Sequence, residues 1–258
     1  MLPVFGQGSS AADAQSPGAV SAGDKAPSYE VVSIKPHKPG EAGSGMRTLP
    51  DGMEWWNISM YSLVQAAYDI EMEDQISGLP GWAKSETYDI VAKVDAQTVE
   101  RWKHLSEKQQ WAEEEPMIRS ILEERCQFKA HEETRELPVY DLVIAKGGLK
   151  MKEAVASENA SESMYRGRLV AKGMQVDAIV TGFTNSVGRL IVDKTGLGEK
   201  KFDFELRWTP DGQQAADDSA DAPQLSTALK EQLGLKLVPA KGPVPVVVIE
   251  HMDRPSPN

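Results

Sequence analysis

The sequence predicts an α+β protein made of two pseudo-repeated units. Each unit runs strand, helix, strand, strand, helix, strand, strand. Two observations predict the duplication. A helix, the strand after it and the returning strand near the end of the chain recur earlier without gaps, and the segments upstream of both echo each other in order. A third concerns capacity. The hydrophobic content of 40% is enough for two cores, and units on the order of 100 residues can bury enough surface to fold.

In the later stretch Leu225, Ala228, Leu229 and Leu233 are spaced to form one apolar stripe on a helix. Asp221 and Pro223 suit its start, with Gln224 placed as a capping partner. Gly234 suits the left-handed residue that ends a helix. Leu235 and Leu237 then alternate with Lys236, as in a half-buried strand. Ala240 to Gly242 reads as a turn, and Val244 to Ile249 as the returning strand. In the earlier copy Pro116 aligns with Pro223, Ile118 with Leu225, Leu122 with Leu229, Cys126 with Leu233 and Pro138 with Pro245. Its hairpin turn falls on Glu133 to Glu136. Upstream, Tyr88-Asp89-Ile90 pairs with Phe202-Asp203-Phe204.

Taken in order, residues 1–28 are rich in Ala, Gly, Ser and Pro, and read as a disordered segment. Ala12-Asp13-Ala14 would fit the end of a signal-peptide remnant. The first unit spans 29–147. It opens with a strand at Tyr29 to Lys35 and a hairpin turning at Pro50-Asp51-Gly52. Ser59 caps a helix running to about Ile70, and Trp82 lies in a turn-rich link as a lid on the core. A strand at Glu86 to Val94 and a polar helix at Gln97 to Gln110 follow. Glu113 to Glu115 put negative charge at the N-terminus of the repeat helix. Residues 148–163 read as a linker, 164–253 as the second unit with an acidic insertion at 210–222, and 254–258 as a tail.

The net charge of −11 argues against nucleic acid, which demands a basic face, and no run is long and apolar enough to span a bilayer. The single cysteine, Cys126, falls on an apolar stripe and reads as core. His131-Glu132-Glu133 lacks the second histidine of a zincin, since Arg135 stands in its place. The other histidines are scattered, so no metal, cofactor or catalytic set is expected. The pieces that suggest recognition are His131, Glu133 and Arg135, as a polar patch, and Trp82. A surface ion-pair cluster of little energetic weight is the plainer reading of the three.

Several motifs carry a resemblance: Val32-Ser33-Ile34-Lys35-Pro36, Gln75-Ile76-Ser77-Gly78, Tyr88 to Lys93, His131 to Tyr140 and Val192 to Leu197. Through them the chain resembles a soil-associated, uncharacterised bacterial family (domain of unknown function 3738 type). The resemblance implies export to the periplasm or beyond and assigns no reaction. Each unit is also similar in pattern to the short N-terminal domain of secretins and TonB-dependent receptors, which are non-catalytic modules. The expectation is a non-enzymatic extracytoplasmic binding or scaffold protein with an unknown, envelope-associated protein or peptide partner. The alternatives are a sensor or regulatory domain working with a membrane metallopeptidase, and a hydrolase with its site between the two units.

Overall fold

The computed structural model describes residues 28–256, except 39, 41–42, 155–159, 166 and 211–221. The expectations for the N-terminal segment and most of the acidic insertion lie outside the described residues. The first half runs β1 (Tyr29–Pro36), β2 (Gly45–Leu49), β3 (Gly52–Ser59), α1 (Met60–Ala67), β4 (Ile76–Ser77), α2 (Trp82–Ser85), β5 (Thr87–Val94), α3 (Ala96–Trp102), α4 (Glu107–Cys126) and β6 (Lys129–Ile144). The second half runs β7 (Lys152–Glu153), β8 (Ser161–Tyr165), β9 (Arg168–Met174), α5 (Asp177–Val187), β10 (Ile191–Asp193), β11 (Phe202–Arg207), α6 (Leu225–Ala228) and β12 (Leu235–His251). A π-helical turn, Leu229–Leu233, continues α6. The protein is α+β.

Three four-stranded sheets form among the described residues. Their strand orders are β1-β5-β3-β2, β7-β11-β9-β8 and β10-β6-β12-β4. The first two share one local device. Asp89 on β5 accepts the backbone N–H of Asn57 at 2.9 Å, and Asp203 on β11 accepts that of Gly173 at 2.8 Å. Asn57 and Gly173 both have positive φ, 51° and 58°. Each carboxylate thus holds the kinked end of the strand that feeds a helix, which is what the Asp of Tyr-Asp-Ile and Phe-Asp-Phe does. Ser59 caps α1, accepting from Ser62 N at 3.2 Å.

The third sheet corrects the expected hairpins. Glu133–Glu136 and Ala240–Gly242 are not turns. β6 and β12 are each continuous and pair antiparallel with one another, from Leu235↔Ile144 to Ile249↔Ala130. Gly242 is absent from the positive-φ glycines, so it lies in extended backbone that does not reverse the chain. Glu136 faces Pro243, and the ungapped alignment of Pro116 with Pro223 sets the same two residues against each other. Four prolines sit in this ribbon, in the pairs Pro138↔Lys241, Pro239↔Tyr140, Pro243↔Glu136 and Pro245↔Thr134. All four pairs fall on the same alternation of the ladder. Tyr140 turns its N–H outward to Leu190 O at 2.8 Å, so these are the non-hydrogen-bonded pairs, where a missing N–H costs the ladder nothing.

The ribbon runs through both cores. Val247 and Ile249 of β12, with Met252, lie in the first core beside Leu63, Val64, Ile90, Ile118 and Leu122. Leu142 of β6 lies in the second, with Leu169, Ile179, Phe183, Leu229 and Leu235. The chain after each strand also closes the far helix. Ala145 N donates to Gly234 O at 2.8 Å, and Asp253 N to Cys126 O at 2.7 Å.

Other expectations shift. The polar helix at Gln97–Gln110 is two helices, α3 and the start of α4, which Ser106 caps. Glu113–Glu115 lie inside α4 rather than at its N-terminus. There Glu113 bonds Arg101 and Trp102, and Glu115 pairs with Arg119. Gln224 caps α6 without a side-chain bond. Residues read as linker form β7 and β8. Arg254 and Ser256, read as tail, are tied to Glu86 and to Arg125 O.

Two side chains in this frame give testable outcomes. Cys126 is fully buried, and burial pushes its thiol up to about 12. Thiol reagent is expected to label it only as fast as the protein unfolds; labelling of the native chain at the rate of a free thiol would contradict this. Glu114 is 3% exposed, with Gln110 Nε2 donating to it at 2.8 Å, and burial raises its pKa. A raised acid holds its proton more tightly when folded. Glu114 therefore favours folding below the unfolded carboxylate range, and that advantage is lost as pH rises through the folded pKa. Glu114→Gln is expected to stabilise the protein at pH 7 by roughly 1–2 kcal/mol, the scale of one poorly satisfied buried polar group. Urea midpoints should show the gain shrinking in acid.

Candidate binding groove

The residues singled out from sequence fall in two places. His131, Glu133 and Arg135 form a row at every second position of β6. His131 Nδ1 is 2.8 Å from Glu250 Oε1 on β12 and its Nε2 is 4.0 Å from Glu133, while Arg135 pairs with Glu133. The side chains are 40–51% exposed, so this is a solvated ion-pair row. Trp82 opens α2 and packs on the first core. The Arg254 guanidinium stands 5.4 Å from its ring centre and bonds Glu86 through two nitrogens. Trp82 is held by a different set of neighbours from the row.

A wide concavity lies elsewhere, in the second half. Its outer wall is the β8–β9 hairpin, whose Gly167 has φ +84°. A Cβ there would come within 2.3 Å of Trp208 O, so only glycine lets the turn close on β11, where Trp208 N donates to Gly167 O at 2.8 Å. Trp208 in turn meets Phe183 edge-on, with ring centres 5.0 Å apart. This fixes α5, whose last turn supplies Asn185, Ser186 and Val187 to the groove. Opposite, Thr209 N donates to Pro223 O at 3.0 Å, which sets Gln224, Leu225 and Ser226 along the rim. The floor comes from the ribbon, through Tyr140, Leu237 and Pro239.

The groove holds about 840 Å³, within the range of small-molecule and peptide-side-chain sites. Among the described residues that line it, none is Asp, Glu, Lys, Arg or His, although Asp, Glu, Lys and Arg are 26% of the chain. The described lining offers aromatic faces, amides and hydroxyls. At its mouth Met164 and Tyr165 are 41% and 63% exposed. Sequence reading missed these residues because they fall just past the stretch taken as linker, 148–163. Their adjacent rather than alternating placement in Ser161–Tyr165 hides the strand. Among the described residues no cluster of three or more His, Cys, Asp or Glu is placed to hold a metal ion, and no helix is long and apolar enough to cross a membrane.

Fold and groove together define an α+β protein with a surface groove whose described lining is uncharged. Comparison with known families matches residues 61–252 to the family described as "Protein of unknown function (DUF3738)". The chain belongs to this family. No curated protein and no solved structure matches it.

Proposed function

We propose that the protein is a non-enzymatic binding or scaffold module, acting outside the cytoplasm, that holds a protein or peptide partner at the groove. The observation that carries this reading is the uncharged lining of the groove among the described residues. A surface with no carboxylate, imidazole or amine has nothing to move a proton at neutral pH, which general acid–base hydrolysis requires, but it suits contact with a neutral ligand. The location rests on the motif resemblance drawn from the sequence, which implies export. We also read the chain as two copies of one unit, 29–147 and 164–253, that have exchanged their last strands. The matching strand orders, the paired Asp caps and the facing of Glu136 and Pro243 support that reading. Each unit has the pattern of the short N-terminal domain of secretins and TonB-dependent receptors. The row His131, Glu133 and Arg135 would be a second, polar contact.

The test is a photo-crosslinking amino acid at position 165 in the full chain, in its native envelope, with position 124 as an exposed control. A discrete adduct from 165 and none from 124 is expected. A membrane metallopeptidase in that adduct would turn the reading toward a sensor domain. No adduct, or the same adducts from both positions, would remove the groove from consideration as a binding surface.

A further inference from the structure

We propose that a small cleft where the two halves meet binds a free α-amino acid with an apolar side chain. The cleft holds about 160 Å³, the share of roughly five waters in the liquid, which suits one molecule of that size. One wall is a 3₁₀ turn of the first half, Glu73–Gln75, with Met72 and Asp74 on the cleft. The other is the link from α5 to β10, with Arg189 and Leu190. Leu137 and Pro138 of β6 complete it. Both walls are held in place. Gln75 is 6% exposed. Its Oε1 accepts the backbone N–H of Met72 at 3.0 Å, and its Nε2 donates to Pro245 O at 3.3 Å. On the other side Gly188 ends α5 at φ 65°, and Leu190 O accepts the N–H of Tyr140. The Arg189 guanidinium stands 5.4 Å from the centre of the Tyr140 ring. Walls fixed before a ligand arrives spare the cost of ordering them.

The charged groups choose the ligand. Asp74 and Arg189 belong to different walls, and neither joins an ion pair among the described residues. An acid and a guanidinium that share so small a space without pairing leave room for a molecule that carries both charges. An α-amino acid does so on one carbon. Its ammonium suits Asp74, and its carboxylate suits the planar fork of Arg189. A peptide presents only one of the two charges at either end. Met72, Leu137, Pro138 and Leu190 offer the side chain an apolar surface. The surrounding charges disfavour a simple ion. Asp69 and Glu71 precede the first wall, and Glu136 precedes Leu137. Glu73 is paired with Lys84, and Lys241 faces Pro138 across the ladder. An anion therefore meets the acids, and a cation meets Arg189 and Lys241.

The probes are leucine, N-acetyl-leucine, which lacks the ammonium, leucine amide, which lacks the carboxylate, and free lysine and glutamate. Binding to the full chain is followed by amide shifts. Leucine is expected to bind with Kd on the order of 1 mM, in keeping with its few atoms. The two blocked forms should bind about tenfold more weakly, each having lost one charge-assisted contact, and lysine and glutamate should also bind more weakly than leucine. Shifts should centre on residues 72–75 and 188–190. Asp74→Asn should erase the difference between leucine and N-acetyl-leucine, and Arg189→Gln that between leucine and its amide. Both residues are exposed, so the urea midpoint of each variant should match wild type. Equal binding of leucine and both blocked forms overturns the proposal, as does equal binding of leucine and glutamate. So do shifts centred elsewhere, or no leucine binding at roughly ten times that concentration. The crosslink at position 165 tests the groove separately, so either reading can fall without the other.

Discussion

A chain ending at Gly242 is expected to lose its first core while keeping much of the second. The missing residues include Val247, Ile249 and Met252, all under 10% exposed and all packed among first-core side chains. Full burial of three such residues contributes about 4–9 kcal/mol, comparable to the whole net stability of a domain. The truncation also strips β6 of its partner from Glu136 back to Lys129, leaving a row of unpaired backbone groups. The second core keeps Leu142, Leu235 and its own helices. Hydrogen exchange separates the two outcomes: β5 amides should exchange rapidly in the truncated chain while β11 amides stay protected. Full protection of β5 would show that the first half stands without β12.

Gly234→Ala is expected to cost about 3 kcal/mol or more, the largest effect foreseen for the addition of a single methyl group. Gly234 has φ +71° and closes the helix of the second half. The strain of an L-residue in the left-handed region costs roughly 1–2 kcal/mol. The new Cβ would lie 2.0 Å from Gly148 O. That atom is backbone, held in a loop where Lys150 N bonds Leu233 O and Ala145 N bonds Gly234 O, so relief requires the loop to move, at roughly 1–3 kcal/mol more. A urea midpoint unchanged from wild type would mean that this loop is far softer than its hydrogen bonds indicate. The matching position in the first half is Gln127, also left-handed at φ 51°, where the chain already tolerates a side chain.

Local signals were legible and nonlocal ones were not. The stripes Ile118, Ile121, Leu122, Cys126 and Ala228, Leu229, Leu233 are buried to 2% exposure or less, because a 3.6-residue period needs only neighbours in sequence to be read. The Ser59 cap, the Pro50-Asp51-Gly52 turn between β2 and β3 and the glycine stop at 234 are local in the same sense. The ribbon was misread because Ala240-Lys241-Gly242 has turn-forming composition, and composition does not say whether a glycine uses its freedom. What decides is the partner: β6 and β12 come together across intervening strands and helices, and no window of sequence contains both. The groove was invisible for the same reason, as Tyr140, Asn185, Trp208 and Leu225 meet only in the folded chain. Trp208 carried no functional signal of its own. His131, Glu133 and Arg135 did attract notice, because clustered charge stands out in sequence whether or not a ligand uses it.

The pairing of β6 with β12 bears on how the protein is made. On the ribosome, β6 emerges about a hundred residues ahead of the strand that completes its side of the first core. At typical elongation rates that gap lasts roughly 5–20 s. During it Leu63, Ile90 and Ile118 have no β12 to cover them, and the waiting half exposes both an apolar face and a long unpaired strand. The first half therefore stays exposed to association with other chains until its final strand is available.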